Sequence, residues 1–335
     1  MNIYDIAKLA NVSIATVSRV VNNSPKVSPK TKEKVLAVMK ENEYTPNAFA
    51  RGLGLGSMKT VGIICPNIDD IYMAKAVSYL EQNLHAHGYD CILGCSGFKQ
   101  EEKEDYVRLL LSKKIDTLIL VGSTYAGNGK DESDTDYIRE AAEQVSIFMI
   151  NAKVSGDNIY CTYADDFQAT YEVTKAFIRR GKEKIRFMYD SESYSARQKM
   201  AGYEAALQDA GYPIRGNLKF KTKNDIEYTR DMLLEYNRIL DFDSVLATED
   251  GIAIGAVKYA KIKGLAIPAE LAGVGYNNSI LAISSDPALT SVESKTGVMC
   301  KKDVERMIDL LEREIQIEKN VCVPCEIVRR CTTDF

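Results

Sequence analysis

The chain has 335 residues, 45% of them apolar and 27% charged, with eight cysteines, two histidines, no tryptophan and a formal net charge of −4. That length and balance suit several domains with cores of their own, and the longest apolar runs, such as 118–121 and 145–150, are strand-sized, too short for a membrane-spanning helix. Charge is uneven: residues 1–60 hold nine Lys and Arg against four acids, a net of +5 that leaves −9 for the remainder, the footprint of a basic DNA-reading head on an acidic body.

The first predicted element is a helix, because Ile3, Ile6, Ala7 and Ala10 recur at helical spacing after a candidate cap at Asn2, with Asp5 in the first turn. The pattern stops at Asn11. Asparagine enters the left-handed region at low cost, as a tight helix-to-helix turn requires. Ser13 then caps a second helix whose Val17, Val20 and Val21 face inward and whose Ile14, Ala15, Thr16, Ser18 and Arg19 lie toward an exposed N-terminal half. In a helix-turn-helix, that half meets base edges in the major groove. Ser28-Pro29 starts a third helix, with Val35, Leu36, Val38 and Met39 closing a small core. From spacing alone, three such helices also fit an ordinary bundle that binds nothing.

Beyond residue 60 the chain alternates strands with helices. Strands are predicted at 61–65, 91–95, 117–121 and 147–150, with helices at 74–87, 100–113 and 137–144. The rhythm repeats after Asp166: helix 167–180, strand 185–189, helix 197–210, strand 218–220, helix 226–236, strand 244–247, helix 252–263 and strand 271–275. Two doubly wound parallel sheets follow from this alternation. The run 321–328 reads as one strand, and the Cys322-Val323-Pro324-Cys325 inside it is a lone CxxC without a second pair or nearby histidines, so packing is favoured over a redox or metal role. The remaining cysteines lie mostly in apolar strand-like runs, as reduced thiols do. His85 and His87, two apart on a helix, do not share a face. No metal and no cofactor is expected. Catalysis is disfavoured as well, since no G-x-G-x-x-G follows a strand and no G-x-S-x-G, P-loop or HExxH occurs.

The string as a whole resembles the lactose-repressor/galactose-repressor family of bacterial transcription regulators, nearly end to end. The densest blocks are Tyr4-Asp5-Ile6-Ala7-Lys8-Leu9-Ala10, then Val12-Ser13-Ile14-Ala15-Thr16-Val17-Ser18-Arg19-Val20-Val21-Asn22, then Tyr44-Thr45-Pro46-Asn47-Ala48-Phe49-Ala50-Arg51-Gly52-Leu53. The resemblance implies an all-α helix-turn-helix head (1–45), a hinge helix and linker (46–60), and an α/β periplasmic-binding-protein-like body (61–335) of two doubly wound parallel-sheet lobes. The chain would cross between lobes three times, giving lobe one 61–161 plus 291–318 and lobe two 162–290 plus 319–335.

The implied DNA contacts are Tyr4, Ser13, Ile14, Ala15, Thr16, Ser18, Arg19 and Asn22 in the head, and Asn47, Ala50 and Leu53 in the hinge. Leu53 matches the family's leucine that wedges between base steps, where a few kcal/mol of unstacking is repaid by a kinked duplex that wraps more protein. Gly52, Gly54 and Gly56 flank it, each weakening a helix by about 0.5–1 kcal/mol. Carried over in the same way, the effector positions are Tyr72, Ser96, Phe98, Ser123, Lys199, Glu249 and Asn277. Here the chain departs from the usual pattern, with Asn151-Ala152 for Asp-Arg, Lys199 for Arg, Glu249 for Asn and Asn277 for Asp. Lysine does not replace a bidentate arginine. Lys199 and Glu249 therefore point to an effector with ionic or strongly polar groups, unless the two pair with each other across the cleft. Ring stacking would fall to Tyr72, Phe98, Tyr125, Tyr194 or Tyr276.

The expected protein is thus a cytoplasmic homodimer that binds double-stranded operator DNA and a small-molecule effector of the sugar or sugar-derivative class. Control by a protein partner, or by no ligand, is the alternative. The N-terminus shows no secretory signal, which separates the chain from exported sugar-binding proteins, and no heptad tail follows the last strand.

Overall fold

The head helices form where their caps place them. In the computed structural model, which describes residues 1–22, 24–44, 57–236 and 242–335, α1 is Ile3–Leu9, α2 is Ile14–Val21 and α3 is Pro29–Glu41. Asn2 accepts from the Asp5 N–H while the Asp5 carboxylate accepts from the Asn2 N–H at 2.9 Å, closing a reciprocal cap. Asn11 takes φ 48°, and Ser13 and Ser28 accept from the amides of Thr16 and Thr31 at 3.1 and 3.3 Å. Ile6, Ala7, Ala10, Val17, Val20, Val35 and Met39 make the core, with Val21 and Val38 packed at its edge. Leu36, predicted inside, is 44% exposed: Val35 and Met39 occupy the inward stripe, and Leu36 is turned about 100° from Val35.

The described residues divide into two units, Met1–Thr60 with Lys114–Asp116, and Val61–Lys113 with Thr117–Phe335. The second opens with β1 Thr60–Cys65, α4 Ile71–Ala86, β2 Asp90–Cys95, α5 Gln100–Ser112, β3 Thr117–Val121, α6 Asp136–Ala142, β4 Ser146–Ile150 and β5 Ile159–Ala164. It continues with α7 Asp166–Arg179, β6 Ile185–Tyr189, α8 Tyr194–Asp209, β7 Lys219–Lys221, α9 Ile226–Tyr236, β8 Ser244–Ala247, α10 Asp250–Lys263, β9 Ala272–Tyr276, α11 Ile280–Ser284 and β10 Thr290–Glu293. It ends with α12 Thr296–Glu312, β11 Asn320–Val323 and β12 Glu326–Val328.

Two six-stranded sheets result, in the orders β11-β5-β4-β3-β1-β2 and β12-β10-β9-β8-β6-β7. Pairing is parallel from β11 to β1 and from β10 to β7, and β12 alone among these pairs runs antiparallel, against β10. In the first lobe α4 and α12 bury Leu80, Leu84, Val304 and Met307 against Val61, Ile63, Ile119 and Phe148. In the second, α9 and α10 cover one face through Leu233, Ile252 and Val257, and α7 and α8 cover the other through Val173, Phe177, Tyr203 and Leu207.

Three differences from the sequence reading concern the lobe boundaries. Strand β5 extends the first lobe to Ala164, and β10 belongs to the second sheet, so the first two crossings fall after Ala164 and Glu293, not at 162 and 291. The predicted single strand 321–328 is two strands in different sheets. Pro324, which has no N–H for a ladder, and Cys325 carry the chain from β11 in the first sheet to β12 in the second, so the last crossing falls after Val323 and not at 319.

Candidate functional site

In the head, the exposed face of α2 presents Ile14 at 42% exposure together with Ala15 and Arg19, and Tyr4 on α1 is 66% exposed. Val17 and Val20 hold the opposite face in the core. Thr16 and Ser18 are half-buried, and the Thr16 hydroxyl lies 2.9 Å from that of Ser13. Asn22 caps the C-terminus of α2. Asn47, Ala50 and Leu53 lie outside the described residues.

In the body, a cavity of about 660 Å³ opens between the lobes. It lies at the carboxyl ends of the strands, where an open parallel sheet splays its loops and binds ligands. The first lobe supplies Asp70, Tyr72, Phe98, Ser123 and Asn151, from the ends of β1 to β4. The second supplies Asp190 after β6, Thr248 and Glu249 after β8, Tyr276 and Asn277 at the end of β9, and Lys199 from α8. Six of the seven predicted effector residues therefore share one cavity. Ser96 does not line it: it is buried behind, its hydroxyl 2.7 Å from the Tyr125 phenol. Of the aromatic candidates, Tyr72, Phe98 and Tyr276 line the cavity, while Tyr125 and Tyr194 do not. The lobes meet at its edge, where Ser123 donates to Ser193 at 2.9 Å, Arg197 donates to the Gly127 carbonyl at 3.1 Å, and Lys130 pairs with Glu192 at 2.6 Å.

Lys199 is placed by its helix. Gly202, one turn on, has no side chain, so α8 closes against the Phe167 carbonyl of α7, and the Thr170 hydroxyl donates to the Lys199 carbonyl at 2.8 Å. The Lys199 ammonium then donates to the Thr248 carbonyl at 3.1 Å and lies 3.6 Å from the centroid of the Tyr276 ring. Behind it the buried Asp166 accepts from Ser195 at 2.5 Å and from the Tyr276 phenol at 2.6 Å. Burial raises the Asp166 carboxyl, and Lys199, Ser195 and Tyr276 pull it back down.

Glu249 accepts from the Asn277 amide at 2.8 Å, and among the described residues no ion pair joins it to Lys199, whose ammonium goes to the Thr248 carbonyl. Burial, together with Asp190 and Asp70, holds the Glu249 carboxyl well above its ordinary range, against the opposing pull of Lys199 and Asn277. Asp70 caps α4 through the Met73 amide at 3.0 Å, and its carboxyl is raised by burial and by Asp190. The sequence reading did not single out Asp70, Asp190 or Asp166. Asp190 directly follows the predicted strand 185–189, so the strand-end rule could have found it, and Asp70 was hidden because the predicted helix began at residue 74 and not at Ile71.

The sequence of residues 58–326 matches the family model described as periplasmic binding proteins and sugar binding domain of LacI family, and residues 2–47 match that of bacterial regulatory proteins, lacI family. An HTH-type transcriptional regulator of Lachnoclostridium phytofermentans is 43% identical over 336 residues, covering 100% of both chains. Catabolite control protein A of Priestia megaterium is 31% identical over 300 residues, covering 87% of each. The Lac repressor dimer bound to operator and the anti-inducer ONPF superposes with a TM-score of 0.88 at 23% identity, covering 99% of this chain and 98% of that one, which is a likeness of fold.

Proposed function

This chain belongs to the LacI family of bacterial regulatory proteins, DNA-binding transcription regulators that are not enzymes, and from that premise we propose that it is a cytoplasmic repressor that binds a pseudo-palindromic operator as a homodimer under the control of a small, sugar-like molecule. The observation that carries the proposal is the cavity, lined from both lobes by side chains of mixed charge with aromatic rings at Tyr72, Phe98 and Tyr276. A molecule held there touches both lobes and so favours one relative arrangement over another. Only such differential affinity shifts an equilibrium. Tyr72, Phe98, Ser123, Lys199, Glu249 and Asn277 are its contacts, and Ser96, buried behind the cavity against Tyr125, is not among them.

On the DNA side, Ile14 and Ala15 read base edges from the exposed start of α2. Tyr4, Ser13, Thr16, Ser18, Arg19 and Asn22 complete the head's footprint, and Asn47, Ala50 and Leu53 belong to the minor-groove hinge. Dimerisation is supported by apolar side chains that the body leaves in solvent, with Ile262, Ile280 and Ile283 between 59% and 63% exposed on the adjoining helices α10 and α11. Among the described residues no helix is long and apolar enough to cross a membrane.

The test begins with selection of duplexes from a random library by the full-length protein. Two inverted half-sites should be enriched and bind at least about 100-fold more tightly than either half alone, through tethering of two heads. Equal affinity for a single half-site would overturn the dimeric reading. Fluorescence anisotropy on the selected operator then screens sugars and sugar derivatives, and a complete lack of effect on operator affinity would remove ligand control in favour of a protein partner.

A further inference from the structure

The cavity's charge goes beyond an expectation of polarity and names a sign. Seven of its described lining residues are acids, and Lys199 is the one base among them. Some of those acids are already occupied: Asp250 accepts from Ser279 and Ser291, and Asp225 caps α9 through the Tyr228 amide. Asp70, Asp190 and Glu249 are different, because each keeps carboxylate acceptor capacity toward the cavity. Among the described residues, the side-chain donors to Asp190 and Glu249 are the Thr248 hydroxyl at 3.3 Å and the Asn277 amide at 2.8 Å.

Lys199 offsets this group only in part, drawing Glu249 down without forming an ion pair with it. Its ammonium is turned to the Thr248 carbonyl and the Tyr276 ring, and Asp166 stands behind as its counter-charge. The cavity therefore presents three neighbouring carboxyls: burial and then repulsion from Asp190 raise the carboxyl of Asp70, and burial with repulsion from Asp190 and Asp70 raises that of Glu249 against the pull of Lys199. An anionic ligand would add to that repulsion, and a neutral one would leave it in place.

Resting on the reading of this cavity as the effector site, we propose that its ligand is a small polyhydroxylated molecule bearing a protonated amine, of the amino-sugar class, with the ammonium held among Asp70, Asp190 and Glu249. An ammonium donates three hydrogen bonds and accepts none, which matches acceptors that lack donors. The hydroxyls meet Ser123, Ser193 and Asn151, and a sugar ring's apolar face meets Phe98, which is 64% exposed at the cavity.

The experiment uses isothermal titration calorimetry and thermal shift on the full-length protein. The probes are D-glucosamine, D-galactosamine and D-mannosamine, their neutral counterparts D-glucose, D-galactose and D-mannose, N-acetyl-D-glucosamine and D-glucose 6-phosphate. At least one free amine should bind, at least about tenfold more tightly than its neutral counterpart, as a single charge-assisted hydrogen bond would give. Glu249→Gln and Asp190→Asn should each reduce that ratio below about threefold, with folding of both variants checked by their own unfolding transitions. A neutral or phosphorylated probe that binds as tightly as any amine, both variants retaining the full preference, or silence from all eight probes would each overturn the amine assignment. If a neutral or anionic molecule binds and alters operator affinity, the effector-site reading stands and only the amine assignment falls. If no small molecule alters operator affinity, both fall.

Discussion

In the first lobe the buried carboxylate of Asp303 on α12 accepts from the Thr162 hydroxyl of β5 and from Arg306 at 2.9 Å, and the same guanidinium donates to the Glu318 carbonyl ahead of β11. In the second lobe Lys199 on α8, Asp166 at the start of α7 and Glu249 after β8 gather beside the cavity, and Lys199 and Glu249 leave each other unpaired. The first group bonds mainly within itself, with Asp303 Oδ2 and Arg306 Nε left without partners among the described residues, and ties a helix to β5 and to the residues ahead of β11 in one sheet. The second remains open toward a cavity. Two lobes of one architecture thus use buried charge in opposite ways: one to fix the packing of its own elements, the other to receive a group from outside.

The sharpest way to break this comparison is Arg306→Met, which leaves Asp303 buried without its counter-charge and should cost about 3–5 kcal/mol in urea unfolding at pH 8. Burial already lifts the Asp303 carboxyl to about 7 with Arg306 present. Without the guanidinium it rises further, so the folded state keeps a proton that the unfolded chain releases near pH 4. The variant's stability should then be greatest in acid and fall as pH rises from about 4 through 7, making the loss smaller at pH 5 than at pH 8. A loss below about 1 kcal/mol at both values would show that the pair does not close the first lobe.

Asp166→Asn comes next, at about 1–3 kcal/mol, because it takes the charge from a buried acceptor of two hydroxyls and removes a carboxylate that balances the Lys199 ammonium. Tyr276→Phe keeps the ring under Lys199 and loses only the phenol's bond to Asp166, so about 0.5–1.5 kcal/mol is expected. Should it cost more than Asp166→Asn, the ring and not the carboxylate would be what positions Lys199. Glu249→Gln should have the smallest effect and the opposite sign. Removing one of three crowded carboxyls should stabilise the ligand-free protein by about 0.5–1 kcal/mol at pH 8, as relief of a strained functional site does. Destabilisation of Glu249→Gln beyond 1 kcal/mol, read by the same urea titration, would place Glu249 with the closed group.

Much of this architecture was legible in the sequence because its signals are local. Caps at Asn2, Ser13 and Ser28 fix the three head helices, and the apolar run 118–121 and the run 185–189, broken only by Arg186, give strands at those positions. Strand β5, with Tyr160, Thr162 and Tyr163 among its six residues, and β10, Thr-Ser-Val-Glu, carry too many polar groups to show as apolar runs. Their strand character comes from neighbours distant in sequence. The same limit applied to the site. Lys199 and Glu249 were identifiable as departures from a family pattern, but whether they pair depends on Tyr276 and Thr248 capturing the ammonium first. The roles of Asp70 and Asp190 arise only where the strand ends of both lobes converge.

The triple crossing between lobes has a consequence for synthesis on the ribosome. The core that holds Val61, Ile63 and Leu80 also contains Cys300, Val304, Met307 and Ile308 of α12, and the edge strand β11 joins the first sheet only at Asn320–Val323. The lobe whose strands emerge first is therefore completed after the second lobe's strands β6 to β10 have all been made. Nascent chains must carry an unfinished hydrophobic face through most of translation, and a message cut short anywhere between codons 165 and 320 would yield no finished first lobe at all.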